Sequence, residues 1–417
     1  MVLQPALAHL LPHNMTAQQP RPKLITLITL SGLAVLSMNM FAPAMAAMAL
    51  DFQVPYATVT LAVSAYLALT AALQLLVGPL SDRYGRRPVL LTSLLLFVLA
   101  SVAAATAGDV WVFLVARVAQ GAIVAGNVLP RAIIRDTTSV QEGASMQGYV
   151  SMAMAIAPIL GPSIGGGLAQ WAGWRANFWL YAVLGAVLLL WCWRDLHETH
   201  HQRSTSMRAQ WHMYRQLLKA PRFWGFALCI AFSVNAFYVF VSGMPWVAGQ
   251  ILHLPQAQVG MLMGTISMGF FVGSFIAGWR SKHHALTTMM IAGRSVALAG
   301  LAVGCALSWL GWVNPWVIFG STVFAGLGNG ISFPSSQTGT MTVEPKLAGS
   351  AAGLSGALSM ATGAVLTTIT GAVVQGPWAA QLLLSLMTGI LLVAWLMALW
   401  SCAMARRQEA PPPQRQP

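Results

Sequence analysis

The chain has 417 residues, 57% of them hydrophobic and only 7% charged, with a mean hydropathy of +0.68. No water-soluble domain of this size could hide so much apolar surface, which excludes a soluble enzyme or binding module. The net charge of +13 would suit a nucleic-acid partner, but the basic residues sit between long apolar runs, as topology signals do.

Twelve runs of about 20 apolar residues, each enough to cross ~30 Å of hydrocarbon, are predicted. They lie near 24–49, 57–79, 88–107, 111–134, 145–170, 175–193, 223–246, 258–279, 286–308, 314–335, 348–373 and 379–404. Backbone groups in lipid must be satisfied internally, and these runs are too long for barrel strands, so they are helices. With the N-terminus inside, eighteen of the 22 Lys and Arg residues fall in cytoplasmic segments, and Arg175 alone lies outside. Tryptophans gather at both ends of the spans, among them Trp111, Trp171, Trp312 and Trp378 outside and Trp191, Trp193, Trp279 and Trp400 inside. Both patterns predict cytoplasmic termini.

Residues 1–22 form a cytoplasmic N-terminal segment without the charged start or cleavage site of a signal peptide, so the first span is its own signal; Met15 is an alternative start. An N-terminal six-helix half is expected over 23–194. Its first span contains Ser37-Met38-Asn39-Met40-Phe41-Ala42-Pro43-Ala44. After the second span comes Gly78-Pro79-Leu80-Ser81-Asp82-Arg83-Tyr84-Gly85-Arg86-Arg87, a tight charged turn in a chain with nine acidic residues. This turn resembles the G-x-L-[SA]-D-R-x-G-R-R loop of major facilitator superfamily transporters. The resemblance implies that Gly78, Asp82, Arg83, Gly85, Arg86 and Arg87 form a gate. The Asp82 carboxylate would latch onto the positive N-terminus of the eleventh span near Gly349 and a neighbouring arginine. Asp136, at the end of the fourth span, is the other candidate partner.

The fourth span carries buried chemistry. Arg117, Gln120, Asn127, Arg131 and Arg135 are spaced 3, 7, 4 and 4 residues apart, so they are expected on one helical face. An arginine in mid-membrane costs roughly 2.5–3.5 kcal/mol on insertion scales. Arg131 and Arg135 are expected to snorkel to the cytoplasm, which Arg117 cannot reach. Phe113 to Gly121 also resembles the superfamily's second motif, which implies that Arg117 and Gln120 face the central cavity. In the fifth span, Gly148, Gly161, Pro162, Gly165 and Gly166 resemble the antiporter motif of drug-exporting members, with Ala157 where that pattern has another glycine. Closely spaced glycines let helices approach backbone to backbone, and a proline bends the span.

A basic, His-containing linker over 195–221 is expected to be a solvated cytoplasmic loop. Within it His197-Glu198-Thr199-His200-His201 fits H-E-x-x-H, a zinc-protease pattern, but lies in a polar stretch with no third ligand. Neither a metal site nor any other cofactor is assigned. The C-terminal half, 222–405, repeats the first: Ser37-Met38-Asn39 recurs as Ser233-Val234-Asn235, and Gly126-Asn127 as Gly328-Asn329. Gly78 matches Gly278, and Gly143 and Gly165 match Gly349 and Gly371, at offsets of 196 to 206 residues. Residues 406–417 are Pro/Gln-rich and read as a disordered cytoplasmic tail. Cys192, Cys229, Cys305 and Cys402 have no metal spacing and read as isolated thiols.

The expected fold is therefore an all-α membrane protein, twelve transmembrane helices in two pseudo-symmetric six-helix halves. Within the superfamily the Ser37–Ala44 run and Gly330-Ile331-Ser332-Phe333-Pro334 resemble the bicyclomycin/chloramphenicol-resistance (Bcr/CflA-like) branch of twelve-helix drug:proton antiporters, over about residues 24–404. That implies a monomeric exporter of drug-like molecules in a bacterial inner membrane, driven by protons, with a small-molecule substrate and the lipid bilayer as partners and no nucleic acid. Asn39 and Asn235 join Arg117 and Gln120 as substrate or coupling residues. One departure is chemical: Asn39 replaces the branch's aspartate and cannot titrate. All nine acids fall in loops or at helix ends, and no histidine lies inside a span. The alternative is a carrier for one endogenous metabolite, an amino acid or sugar derivative, with atypical coupling. Tyr66, Gln74 and Gln337 are further candidates for the cavity wall.

Overall fold

The computed structural model describes residues 22–409 apart from 139, 200–206, 281–283 and 345–346. The N-terminal segment, most of the tail and the histidines 200 and 201 thus lie outside the described residues. Twelve long apolar helices cross the molecule: α1 (Leu24–Asp51), α2 (Tyr56–Tyr84), α3 (Arg86–Thr106), α4 (Val110–Thr137), α5 (Ser145–Ala172) and α6 (Arg175–Asp195) in the first half. The second half holds α7 (Pro221–Ile251), α8 (Gln256–Arg280), α9 (Leu286–Trp309), α10 (Pro315–Thr342), α11 (Ala348–Val373) and α12 (Ala379–Met404). The face where α1 begins and α2 ends is called the near face, and the opposite one the far face.

Each expected span is present, but the charged turn is not a loop. Helix α2 runs on through Asp82 to Tyr84, and only Gly85 separates it from α3. Gly85 has φ of +101°, a conformation that costs a side-chain-bearing residue strain. Pro88 fits in the first turn of α3, where no intrahelical N–H is needed. Far-face ends are fixed by side-chain caps: Asp109 accepts from the amides of Trp111 (2.8 Å) and Val112 (3.3 Å), and Asn314 from that of Val317 (3.0 Å). Arg175 there bonds the Asp51 carboxylate at 2.6 Å and the carbonyl of Ala107 at 3.1 Å, tying α6 to α1 and α3.

Within halves, α3 packs on α6 and α1 on α5, while α10 packs on α8 and α9, and α7 on α11 and α12. Two pairs carry most of the contact between the halves, α2 with α11 and α5 with α8. Both pairs use glycine. A Cβ on Gly166 would strike the carbonyl of Gln256, one on Gly260 the carbonyl of Pro162, and one on Gly371 the hydroxyl of Thr60. Such backbone contact replaces the hydrophobic drive that lipid cannot supply. Large apolar side chains such as Trp171, Phe275 and Trp316 face outward, and the four cysteines are free thiols.

The linker is not simply solvated. At its start Asp195 accepts from the Lys23 amide (3.0 Å) and the Thr26 hydroxyl (2.6 Å), and Glu198 accepts from the amides of Arg86 (2.9 Å) and Arg87 (3.3 Å). Further on, a helix (Met207–Leu218) rests its Leu217 among Phe223, Ala227 and Ala351 of the second half. The expectation of a free loop fails because unpaired amides at two helix N-termini, α1 and α3, offer these two acids a better partner than water does.

Candidate functional site

A cavity of about 470 Å³ lies between the halves. Its wall draws on α1 (Asn39), α2 (Tyr66, Gln74) and α4 (Asn127, Arg131) on one side, and on α7 (Ser233, Tyr238), α10 (Asn329, Gln337) and α11 (Ser359) on the other. Phe237, Phe270, Phe333 and Met38, Met154, Met341, Met360 supply apolar surface. Among the described residues the wall contains no carboxylate and no histidine; Arg131 is its one charged group. Among its lining residues, Arg131, Met341 and Ala352 lie toward the near-face ends of α4, α10 and α11. Toward the far face the halves close: the Tyr56 hydroxyl donates to the Ser242 carbonyl, and the Tyr56 and Trp246 rings meet at 5.0 Å. Gln170 also accepts from the Ala257 amide at 3.1 Å across the α5–α8 seam.

The predicted polar face of α4 is broken. Asn127 and Arg131 line the cavity, while Arg117 and Gln120 are fully buried behind its wall. A 3-10 turn over Gly121–Val124 separates the two pairs. Arg117 is buried within the first half. It donates to Gln120 Oε1 and the Ser37 carbonyl, both at 2.9 Å, and Gln120 donates on to Ser101 at 2.7 Å. Its guanidinium lies 4.5 Å from the Phe41 ring centre and 4.2 Å from that of Tyr66. Since Tyr66 also lines the cavity, the cation touches the wall only through that ring. Arg131 lines the wall and is itself exposed.

The repeat counterparts Asn39 and Asn235 also part company. Asn39 lines the cavity with its Oδ1 buried and unbonded, and its Nδ2 donates weakly to the Val35 carbonyl at 3.4 Å. Asn235 is buried behind the wall, donating to the Ser359 carbonyl (3.1 Å) and the Thr362 hydroxyl (2.6 Å), so it fastens α7 to α11. Gly161 and Gly165 of the expected antiporter motif meet α1 at Leu36 and Met40, and Gly166 and Pro162 meet α8. Gly148 meets nothing within 4 Å.

The charged cluster at the near face is built around Arg86. Its guanidinium bonds Asp82 at 2.7 Å, Asp136 at 3.1 Å and the Ser81 hydroxyl at 2.5 Å, while its amide is held by Glu198. The Arg86 side chain is 3% exposed, so these are largely desolvated ion pairs. Arg87 donates to the Trp193 carbonyl at 2.8 Å, and Arg83 points outward over the Tyr84 ring. Gly78 has open space, and its carbonyl accepts from Ser81 at 2.7 Å. Gly349 likewise has nothing within 4 Å of a would-be Cβ. Sequence reasoning missed Glu198 as part of this cluster; the scarcity of acids was the one signal that pointed to it. It also missed Asn329, which its repeat partner Asn127 could have flagged.

Comparison with known proteins agrees with this architecture. The profile of the Major Facilitator Superfamily matches residues 27–368. Multidrug resistance protein D of Escherichia coli (strain K12) is 29% identical over 375 residues, 89% of this chain and 94% of that protein. A chloramphenicol resistance protein of Pseudomonas aeruginosa is 32% identical over 299 residues, covering 69% of this chain and 70% of its own. Among solved structures, a bacterial homolog of the human lysosomal transporter Spinster, inward-facing and unoccupied, superposes with a TM-score of 0.75 at 16% identity, over 94% of this chain and 98% of that one. A D-xylose-proton symporter gives 0.72 at 14%, over 91% and 96%. The chain belongs to the Major Facilitator Superfamily, and it is a multi-pass membrane transporter of small molecules, not an enzyme.

Proposed function

We propose that this chain exports small drug-like or metabolite molecules across a bacterial inner membrane, as a monomer with both termini in the cytoplasm. The observation that carries the reading is the cavity between the halves. Its lining reaches toward the near-face ends of α4, α10 and α11, the Tyr56–Ser242 contact closes the far side, and its wall is made of amides, aromatics and methionines. Such a wall suits varied amphiphilic ligands, because methionine adapts its shape and rings stack on many partners. The names of the two relatives, a multidrug resistance protein and a chloramphenicol resistance protein, support the substrate class. The clustering of Lys and Arg at the near face supports its assignment as cytoplasmic.

Export then needs the halves to rock. Loading occurs from the near face; release requires the Tyr56–Ser242 bond and the glycine seam of α5 and α8 to part while the near face closes. For that closure Asp82, held ready by Arg86, is the proposed latch onto the N-terminus of α11 near Gly349. In a low-dielectric cavity with Arg131 on its wall and no carboxylate, neutral and anionic molecules are favoured over lipophilic cations. Protons are the proposed coupling ion. Because Asn39 cannot titrate, coupling should respond to pH only weakly. The second reading, a carrier of one endogenous metabolite with atypical coupling, is favoured by that same lack of a titratable group on the wall. Flux in proteoliposomes, with and without a pH gradient, tests both readings. Movement of chloramphenicol and organic acids ahead of ethidium supports the first; no flux of any drug-like compound would sink it.

A further inference from the structure

One buried cation has no part in the scheme so far. Arg294 on α9 is fully buried, and its Nε and Nη1 make no hydrogen bond. Among the described residues no carboxylate pairs with it. Its Nη2 donates to Asn329 Oδ1 on α10 at 3.3 Å, and Ser233 Oγ on α7 donates to the same oxygen at 2.5 Å. Both Asn329 and Ser233 line the cavity, whereas Arg294 stands behind them.

This arrangement fixes which way the amide points. A guanidinium only donates, so the Asn329 atom facing it must be the carbonyl oxygen. With that oxygen taken by two donors, the Nδ2 group is turned to the other side. No protein acceptor among the described residues takes up Nδ2, nor is it among the buried unbonded atoms. It is a free N–H donor on the cavity wall. Bonding a carbonyl to a cation also polarises the same amide, which strengthens its N–H groups as donors. Asn127, the repeat counterpart of Asn329, lines the cavity with its Oδ1 buried and unbonded, as does Asn39.

We propose that Arg294 is a positioning residue that locks Asn329 as a hydrogen-bond donor into the cavity. The second half thereby selects molecules carrying an acceptor oxygen, such as a carbonyl, nitro or carboxylate group. This inference rests on the export reading and names the chemical feature that its substrates share.

The decisive variant is Asn329→Asp, assayed in the full chain in proteoliposomes. It keeps an oxygen for Arg294 and Ser233, and gives the buried cation a counter-charge. Besides that charge, the change falls at Nδ2, where a donor becomes an acceptor. The probes are chloramphenicol, which has nitro and amide oxygens, and ethidium, which has no acceptor oxygen. The expected result is a rise in KM for chloramphenicol of about tenfold or more, with the maximal rate kept, because a bond in the loaded complex is lost. Ethidium flux should not fall, and the purified variant should melt no lower than the wild type. Arg294→Gln, which frees the amide to turn over, should raise the same KM by a few-fold, and Arg294→Lys should restore it. If Asn329→Asp fails to fold, the Arg294→Gln and Arg294→Lys pair decides by the same split. An unchanged KM for chloramphenicol, or an equal loss of rate for both probes, would overturn the assignment of Asn329 as donor. Wild-type protein that moves neither probe overturns the export reading itself, before any variant is compared.

Discussion

Replacing Glu198 would test whether the linker holds the charged cluster in place. Its carboxylate accepts from the Arg86 amide at 2.9 Å and the Arg87 amide at 3.3 Å, at the positive end of α3. In Glu198→Ala both acceptors go. The amides lie at the near face and can rehydrate, so each bond is worth about 0.5–1.5 kcal/mol. Loss of the negative charge beside the helix dipole adds about 0.3–1 kcal/mol. The sum, about 1.5–4 kcal/mol, corresponds to roughly ten- to several-hundred-fold faster amide exchange at Arg86 and Arg87, since about 1.4 kcal/mol is one decade. Glu198→Gln keeps an acceptor oxygen and should cost only the dipole term, about two- to fivefold. Hydrogen–deuterium exchange read by mass spectrometry on a peptide spanning Asp82 to Leu90 measures this directly, with transport scored on the same preparation. Asp195→Ala is the control: Asp195 bonds Lys23 and Thr26, so exchange should rise at the start of α1 and not at Arg86. Exchange at Arg86 and Arg87 that stays within about twofold of wild type in Glu198→Ala would refute the cap.

Asp82→Asn removes the charge 2.7 Å from Arg86 but leaves Asp136 in place, so the protein should fold and lose most of its transport; flux at the wild-type rate in vesicles of equal protein content would discard the latch. Asn39→Asp puts a titratable group on the cavity wall, and flux should then vary more steeply between mildly acidic and mildly alkaline pH. A steep wild-type profile that this change leaves alone would mean the proton travels elsewhere. Arg117→Gln deletes two bonds and the cation beneath Tyr66, and should weaken export of chloramphenicol; undiminished export would leave Arg117 a packing role. Gly165→Val drives a side chain into the Met40 carbonyl and should destabilise the first half by about 1–3 kcal/mol or more, read as a lower melting temperature, whereas Gly148→Val meets open space and should not.

The sequence by itself determined everything that follows from rules local to a segment. A run of about 20 apolar residues must be a helix in lipid whatever surrounds it, which is why all twelve spans were legible with their order and pairing into halves. That α5 makes close backbone contacts was readable from its glycine spacing, because a missing side chain permits contact with any neighbour, but its partners α1 and α8 were not. Tertiary structure alone decided the rest. Arg117 and Gln120 are buried behind the wall that Asn127 and Arg131 line, and nothing in the spacing of the four announces that split. Glu198 caps a helix that begins 112 residues earlier, and Arg294 orients Asn329 from a different helix. Hydrogen bonds of this kind join partners through space, with no period or spacing along the chain to betray them. A buried cation and an orphaned amide can be counted in a sequence, but which of them meet is settled only when the helices pack.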